Sequence, residues 1–422
     1  MSTKKWYKLD KAAKIFPSVT NNGRTNTFRV SMILDHEIKP EVLQEALEIV
    51  IKRFVNLNVK LKRGLFWYYF EPNDAKPKVV KESPYICQSY KRKDLNNFLF
   101  ELSYYDNRIT LETFHSLTDG TGAMEMLKSI CFTYLKLMGY DVEDEGLVLT
   151  EDTEVRREEL EDSFVKNYDP KVKYPRNAGR AMHFVGTEYD DLWLAVIKSI
   201  MDVNQLKEIT KKYDCTFTEF LGAAIIYSAY KSPNVLEKTK RPFKLFVPVN
   251  LRRFFPTQTL RNFSLFIRSS ISFDKELTFK DILDKVKADF KDQIQKVKLQ
   301  AQIVANVKLE KNFIMRIMPL FIKELVLKLG YKTWGEGPNS LSFSNLGVVQ
   351  LPKSMSKYVK RINFTSGASR GSLIGIGVVS YNNQLVLSIS SAMVERDFQK
   401  NLFRFLADEG LDIIIETNEL EV

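Results

Sequence analysis

The sequence predicts an α/β protein built as two halves around an acidic crossover. Strand-like stretches of period two alternate with helical stretches of period 3.6, both before residue 140 and after residue 180. With 422 residues, 44% of them hydrophobic and 12% aromatic, the chain can bury two or three domain-sized cores. Residues 141–170 interrupt the alternation, carrying 12 acidic and 3 basic side chains without a clean period. Such a run reads as a solvated surface connection. The expected boundaries are a first half over 1–140, a linker over 141–180 that includes Lys171–Pro175, and a second half over 181–422.

Phe28, Val30, Met32 and Leu34 alternate with polar residues, the mark of a half-buried strand. Pro40 opens a helix at its first turn, with Val42, Leu43, Ala46, Leu47, Val50 and Phe54 on one stripe. Gly64–Phe70 reads as an aromatic strand packed in the core. Phe98–Tyr105 and Arg108–Phe114 form a hairpin across Asp106-Asn107, and a helix follows over about 120–138. In the second half a strand over about 192–200 leads to Asp202, an N-cap. Thr216 and Glu219 have capping-box spacing before another apolar helix. Strands over 243–250 and 264–273, helices over about 277–297 and 311–329, and a strand at Leu341–Asn345 come next. The chain closes with a hairpin across Asn382-Asn383 and a helix after Glu395.

Composition excludes several classes. No run approaches the ~18 apolar residues of a membrane-spanning helix. The N-terminal residues turn polar again at Lys8 with no signal-peptide core, so a cytoplasmic location is expected. Three cysteines, widely spaced and without a CxxC, support neither a disulfide framework nor a zinc cage. Net charge is +11, yet residues 141–170 contribute −9, leaving the remainder at +20. A body so basic could attract nucleic acid, an anionic cofactor or an acidic carrier protein. No RNP, zinc-finger or Arg-rich element points to nucleic acid. No cluster of metal ligands stands out, and the glycines of 371–377 lack the Lys that would follow in a phosphate loop. The amphipathic stretch Asn312–Leu329, broken near Pro319, is expected to line the core or a tunnel, with binding to a membrane surface as the alternative.

Histidine is scarce: His36, His115 and His183 are the three in the chain. His115 lies where a strand gives way to a helix, in Phe114-His115-Ser116-Leu117-Thr118-Asp119-Gly120. Helix capping by Asp119 accounts for the acid and the glycines but leaves His115 without a task. The segment resembles the HxxxDG signature of the chloramphenicol-acetyltransferase-like superfamily, which includes alcohol acetyltransferases, plant acyltransferases, wax-ester synthases and condensation domains. Val247-Pro248-Val249-Asn250-Leu251-Arg252, with Asn262-Phe263 beyond, resembles the family's second-half segment. Ser344-Asn345-Leu346-Gly347 is similar to its late SNxxG-like stretch. The whole chain resembles a bacterial alcohol-acetyltransferase-type member.

The resemblance implies two similar lobes with a substrate tunnel between them and His115 facing the tunnel centre. It implies an acyl-CoA-dependent O-acyltransferase in which His115 is the general base, with acyl-CoA as co-substrate and no permanently bound cofactor. Asp119 would turn away from substrate to pair with an arginine, Arg252 first and Arg253 as its rival, while Gly120 eases the turn. Ser344 and Asn345 would line the tunnel or hold a strand end. Two departures stand out. Phe114 occupies the position of the first histidine of condensation domains, and the plant DFGWG motif is absent, so the oxyanion-stabilising group is unassigned. The competing readings are an acyl-carrier-protein donor, a condensation-type enzyme, and a non-catalytic interaction protein on the same fold.

Overall fold

The computed structural model describes residues 6–419 except 22, 91–92, 173–178, 191–192, 234–240, 332–334, 336 and 370. The Lys173–Pro175 end of the expected linker and Leu192, the expected start of a strand, therefore lie outside the described residues.

The first half opens with β1 (Tyr7–Lys8), the short helix α1 (Phe16–Val19) and β2 (Thr27–Leu34). Helix α2 (Pro40–Arg53) starts on Pro40, whose missing N–H would have no partner in the first turn anyway, and it buries Leu43, Ala46, Leu47 and Val50. Strands β3 (Val59–Arg63), β4 (Tyr68–Pro72) and β5 (Val79–Lys81) follow. The aromatic run is thus not one strand. Gly64 N–H donates to the Trp67 carbonyl to turn the chain between β3 and β4, which leaves Leu65 and Phe66 exposed rather than in the core. The hairpin of β6 (Phe100–Tyr105) and β7 (Arg108–Phe114) turns on Asp106 at φ 47°, a left-handed conformation that Asp tolerates. Helix α3 (Gly120–Leu137) comes next, and its buried face includes Met124, Leu127, Ile130 and Tyr134.

The acidic crossover is anchored rather than loose. Both carboxylate oxygens of Glu159 lie 2.8 Å from the Arg53 guanidinium, and both side chains are buried. A few residues on, Phe164 in α4 (Ser163–Lys166) packs edge-on against Phe263 at 5.1 Å between ring centroids. The segment therefore touches α2 at one point and the second half at another.

In the second half β8 (Ala195–Asp202) runs into α5 (Val203–Lys212), whose first N–H groups donate to the Asp202 carboxylate. Helix α6 (Phe217–Tyr230) begins with the reciprocal Thr216–Glu219 box. Strands β9 (Phe243–Asn250) and β10 (Ser264–Ile271) precede α7 (Phe279–Gln293), α8 (Lys296–Lys311), α9 (Phe313–Ile317) and α10 (Leu320–Gly330). Pro319 separates the last two. Strand β11 (Leu341–Val348), the short α11 (Lys353–Ser356) and β12 (Val359–Thr365) follow. The hairpin of β13 (Ile374–Tyr381) and β14 (Gln384–Ser391) turns on Asn382 and Asn383, both at positive φ, as a two-residue primed turn demands. Helix α12 (Asp397–Asp408) and β15 (Ile413–Thr417) close the described chain.

Among the described residues the strands form three sheets: β1-β4-β3, β12-β2-β7-β6-β5 and β10-β9-β11-β13-β14-β8-β15. Strand β11 runs parallel to both β9 and β13, and every other pair in the third sheet is antiparallel. Strand β12, from late in the chain, pairs antiparallel with β2 in the second, setting Phe364 opposite Val30. One core gathers residues of that sheet with α2 and α3, a second gathers the seven-stranded sheet with α6, α7 and α12, and a smaller one sets Phe164 and Phe263 against Leu299 and Ile303 of α8. The charges at the far end of the second sheet are paired: Glu82 takes Arg29 at 2.8 Å and Arg108 at 2.9 Å. Burial opposes ionisation of Glu82, but the two guanidinium groups hold it down at about 2.

The Arg53–Glu159 pair yields a prediction. Glu159→Ala strands a buried guanidinium and should lower stability by about 3 kcal/mol, read as an earlier midpoint in urea denaturation. An unchanged midpoint would return the crossover to the status of a loose connection.

Candidate functional site

The site begins where β7 ends. Phe114 is buried and stacks on Tyr90 at 3.9 Å between ring centroids, which fixes the strand end. His115 N–H then donates to the Asn26 carbonyl. Residues 109–119 are buried with His115 as the one partly exposed member. Its ring lies nearly flat on Phe16 of α1 (4.8 Å, 18°) and edge-on to Phe28 of β2 (5.1 Å, 61°). Two aromatic faces thus set the plane of the imidazole.

The ring's rotation in that plane is set by polar groups. His115 Nδ1 lies 3.1 Å from Asn262 Oδ1, and Asn262 Nδ2 donates to Asp10 Oδ2 at 3.2 Å. Asp10 also accepts from Ala13 N–H at 2.7 Å and lies 3.6 Å from Arg261 Nε. Because the Asn262 amide group spends its N–H on Asp10, its oxygen faces the ring, and Nδ1 must be the protonated nitrogen. In the neutral ring this tautomer carries its lone pair on Nε2. Burial pushes the Asp10 carboxyl up, with Arg261 and the Ala13 N–H pulling against it.

Four residues after His115, Asp119 has two tasks. It caps α3 by accepting from Gly122 N–H at 3.2 Å, and it pairs with Arg252 across the molecule, Oδ2 to Nη1 at 2.8 Å and Oδ1 to Nη2 at 3.2 Å. Phe263 N–H donates to the same carboxylate at 2.9 Å. The guanidinium gives its three remaining hydrogens to the carbonyls of Thr259 (3.0 Å) and Arg261 (2.7 Å) and to Asn250 Oδ1 (3.3 Å). Burial works against ionisation of Asp119, yet Arg252 and the two N–H groups outweigh it and hold the carboxyl below its ordinary 3.8. Capping and pairing, alternatives in the sequence, coexist here. Arg253 is placed elsewhere, with Nη2 beside Gly347.

The glycines at the start of α3 mark a close approach by the second half. A Cβ on Gly120 would meet Leu346 at 2.4 Å, and one on Gly122 would meet Thr118 Oγ1 and the Leu260 carbonyl at 2.1 and 2.3 Å. Asn345 holds a register shift near the end of β11, donating to Thr218 Oγ1 at 3.1 Å and accepting from Gly347 N–H at 2.8 Å. Gly347 sits at φ 79°, a left-handed turn that glycine fills without strain. Asn345 thus serves the strand end, and its neighbour Ser344 pairs in register with Gly377. Phe16, Phe28, Asp10 and the orienting contact of Asn262 escaped the sequence reading. The one local signal was Asp10, a lone acid among lysines near the N-terminus.

None of the three cysteines is poised as a nucleophile. Burial pushes all three thiols up, Cys215 to about 11, with Glu112 adding to the effect at Cys87 and Glu219 at Cys215. Among the described residues no three His, Cys, Asp or Glu side chains gather as metal ligands, and no helix is long and apolar enough to cross a membrane.

Comparisons with known proteins bear on this arrangement. A family profile described as alcohol acetyltransferase matches residues 194–407, just over half of the chain, and takes in Arg252, Asn262 and Asn345. No curated protein sequence matches. Among solved structures, the trichothecene 15-O-acetyltransferase TRI3 of Fusarium sporotrichioides is similar with a TM-score of 0.64 at 12% identity, over 96% of this chain and 94% of that one. TRI101 of F. graminearum, complexed with ethyl coenzyme A, scores 0.62 at 11% identity over 97% and 100% of the two chains. The starter condensation domain of rhizomide synthetase, in complex with C8-CoA, scores 0.59 at 12% identity over 97% and 98%. Identities this low speak to fold: the chain has the mixed α/β chloramphenicol-acetyltransferase-like fold of these proteins.

Asp119→Asn or Arg252→Met should each cost ~3–5 kcal/mol, the range for breaking one side of a buried pair. The double variant should fall short of the sum by ~0.5–3 kcal/mol, as measured by chemical denaturation; additive losses would sever the two residues. The folded carboxyl titrates below its unfolded value of 3.8. Its stabilisation is therefore complete above that value and lost as pH falls through the folded one. Asp119→Asn should lack this share of the acid-side loss, so its stability should fall less steeply with acid than the parent's.

Proposed function

This chain belongs to the alcohol acetyltransferase family, and we propose that it moves an acyl group, acetyl in the first instance, from coenzyme A to the hydroxyl of a small or amphiphilic alcohol. The observation that carries the reading is the orientation of His115: Nδ1 faces Asn262 Oδ1 and the ring emerges from an otherwise buried segment. An imidazole so fixed accepts a proton at Nε2 and returns it at the same atom. The fold shared with TRI101, which was solved with ethyl coenzyme A, and with a condensation domain solved with C8-CoA supports an acyl-CoA donor.

The steps follow from that geometry. His115 Nε2 takes the proton of the acceptor hydroxyl as its oxygen attacks the thioester carbonyl carbon. The C–O bond forms, and the carbonyl electron pair moves onto oxygen to give a tetrahedral oxyanion. As that intermediate collapses the C–S bond breaks, and the CoA thiolate leaves with the proton held on Nε2. Ester and free CoA are the products, and no acyl-enzyme is formed. The donor and acceptor meet in a tunnel between two lobes, the first, residues 1–140 completed by β12, supplying His115 and the second supplying Arg252 and Asn262.

An acceptor panel with acetyl-CoA and octanoyl-CoA, followed by release of free CoA thiol, tests the reading. His115→Ala should keep the fold and lose roughly 10²-fold or more in turnover; parental turnover in this variant would remove His115 from the mechanism. Incubation with donor alone should leave the intact mass unchanged.

Asn262 is a positioning residue and gives a separate test. Asn262→Ala should lower kcat by about 10-fold, the equivalent of one ordinary hydrogen bond, with KM little changed because Asn262 acts through the ring. A rise in KM at constant kcat would instead make it a binding residue.

A further inference from the structure

Helix α10 meets the rest of the molecule with its charged side. Lys323 is buried, its Nζ donating to the Phe66 carbonyl at 2.7 Å and standing 3.7 Å from the Trp67 ring centroid. Glu324 accepts from the Tyr68 hydroxyl at 2.5 Å and from Arg63 at 3.0 Å, and Leu320 N–H donates to the Leu65 carbonyl at 2.8 Å. With Lys323 and Glu324 turned inward onto the β3–β4 hairpin, α10 turns most of its apolar residues outward. Phe321 is 66% exposed and Leu325 61%, with Ile322 and Val326 exposed beside them, and Phe313 and Ile317 exposed on α9. Leu65, 71% exposed, and Phe66 continue this surface from the turn to which α10 is bonded. The sequence expectation of a core helix is therefore overturned for these residues. A contiguous apolar surface of this kind marks an interaction site.

Charge selects the occupant. Residues 312–331 hold Arg316, Lys323 and Lys328 against Glu324 alone, and residues 60–67 hold Lys60, Lys62 and Arg63 with no acid. Lys62, Arg316 and Lys328 are exposed around the apolar face. A second copy would set this basic rim against itself. Anionic phospholipid headgroups neutralise it instead, while the apolar side chains enter the headgroup–acyl boundary. With 11 residues, α10 is ~16 Å long at the helical rise, half of the ~30 Å hydrocarbon layer, so it can lie in a bilayer surface but not span one.

We propose that α9, α10 and the turn at Gly64–Trp67 form a docking face for an anionic membrane surface. The proposal is independent of the reaction proposed above, although it has a spatial consequence for it: α10 packs on α1, whose Phe16 stacks on His115.

The test is sedimentation of the full chain with vesicles of phosphatidylcholine alone and of phosphatidylcholine with phosphatidylglycerol in equal parts. The parent should sediment with the anionic vesicles, less so in high salt. Phe321→Ser combined with Leu325→Ser should lower the partition coefficient about 10-fold or more while the thermal midpoint matches the parent. Arg316→Glu with Lys328→Glu leaves the apolar face intact and should weaken binding to the anionic vesicles to a similar degree. Absence of parent sedimentation with anionic vesicles, or undiminished sedimentation of both variants, overturns the proposal. Self-association of the parent that the serine variant abolishes, with no vesicle binding in either, assigns the face to a second copy and also overturns it.

Discussion

The Asp119 carboxylate accepts hydrogen bonds from Arg252, from Phe263 N–H and from Gly122 N–H, and the rest of the site takes its position from that convergence. A carboxylate so buried is tolerable only while its cation is in place, so the start of α3 and the segment joining β9 to β10 are held together by one charge requirement. The chain on either side inherits the constraint. Going back four residues from Asp119 leads to His115; going back one from Phe263 leads to Asn262. The contact between His115 Nδ1 and Asn262 Oδ1 is thus fixed from both sides by a pair that touches neither residue. The close approach of Leu346 and Leu260 to the two glycines of α3 leaves little room for the halves to shift.

Much of this was legible in the sequence because the signals are local. Alternation marked β2, the Asp106-Asn107 turn marked the β6–β7 hairpin, and the Thr216–Glu219 spacing marked the start of α6, all decided by residues a few positions apart. The match to HxxxDG drew attention to His115 and Asp119, and the second-half segment suggested Arg252 as the arginine that the structure brings to Asp119. What stayed hidden depends on distant partners. Nothing near Asp10 or Phe16 shows that the chain brings them to a histidine a hundred positions away. The strand over Val359–Thr365 has no strong alternation of its own and is defined by β2. Periodicity revealed the apolar stripe of α10 but could not say which way it faces. The answer lay in Lys323 and Glu324, whose partners are on the β3–β4 hairpin.

Strand β12 has a consequence for how the chain is made. It completes the edge of a sheet whose other strands are all in place by Phe114, about 245 residues earlier. At ribosomal speeds of ~5–20 residues per second, that gap lasts roughly 12–50 s. Throughout it, β2 offers its backbone N–H and carbonyl groups to any neighbour, and an open edge is a template for pairing between nascent chains. The strand that closes it is followed directly by β13, which lies inside the seven-stranded sheet. Closing the first half and assembling the second are therefore tied to one late stretch of translation, and the protein has no stage at which its N-terminal half is a finished sheet on its own.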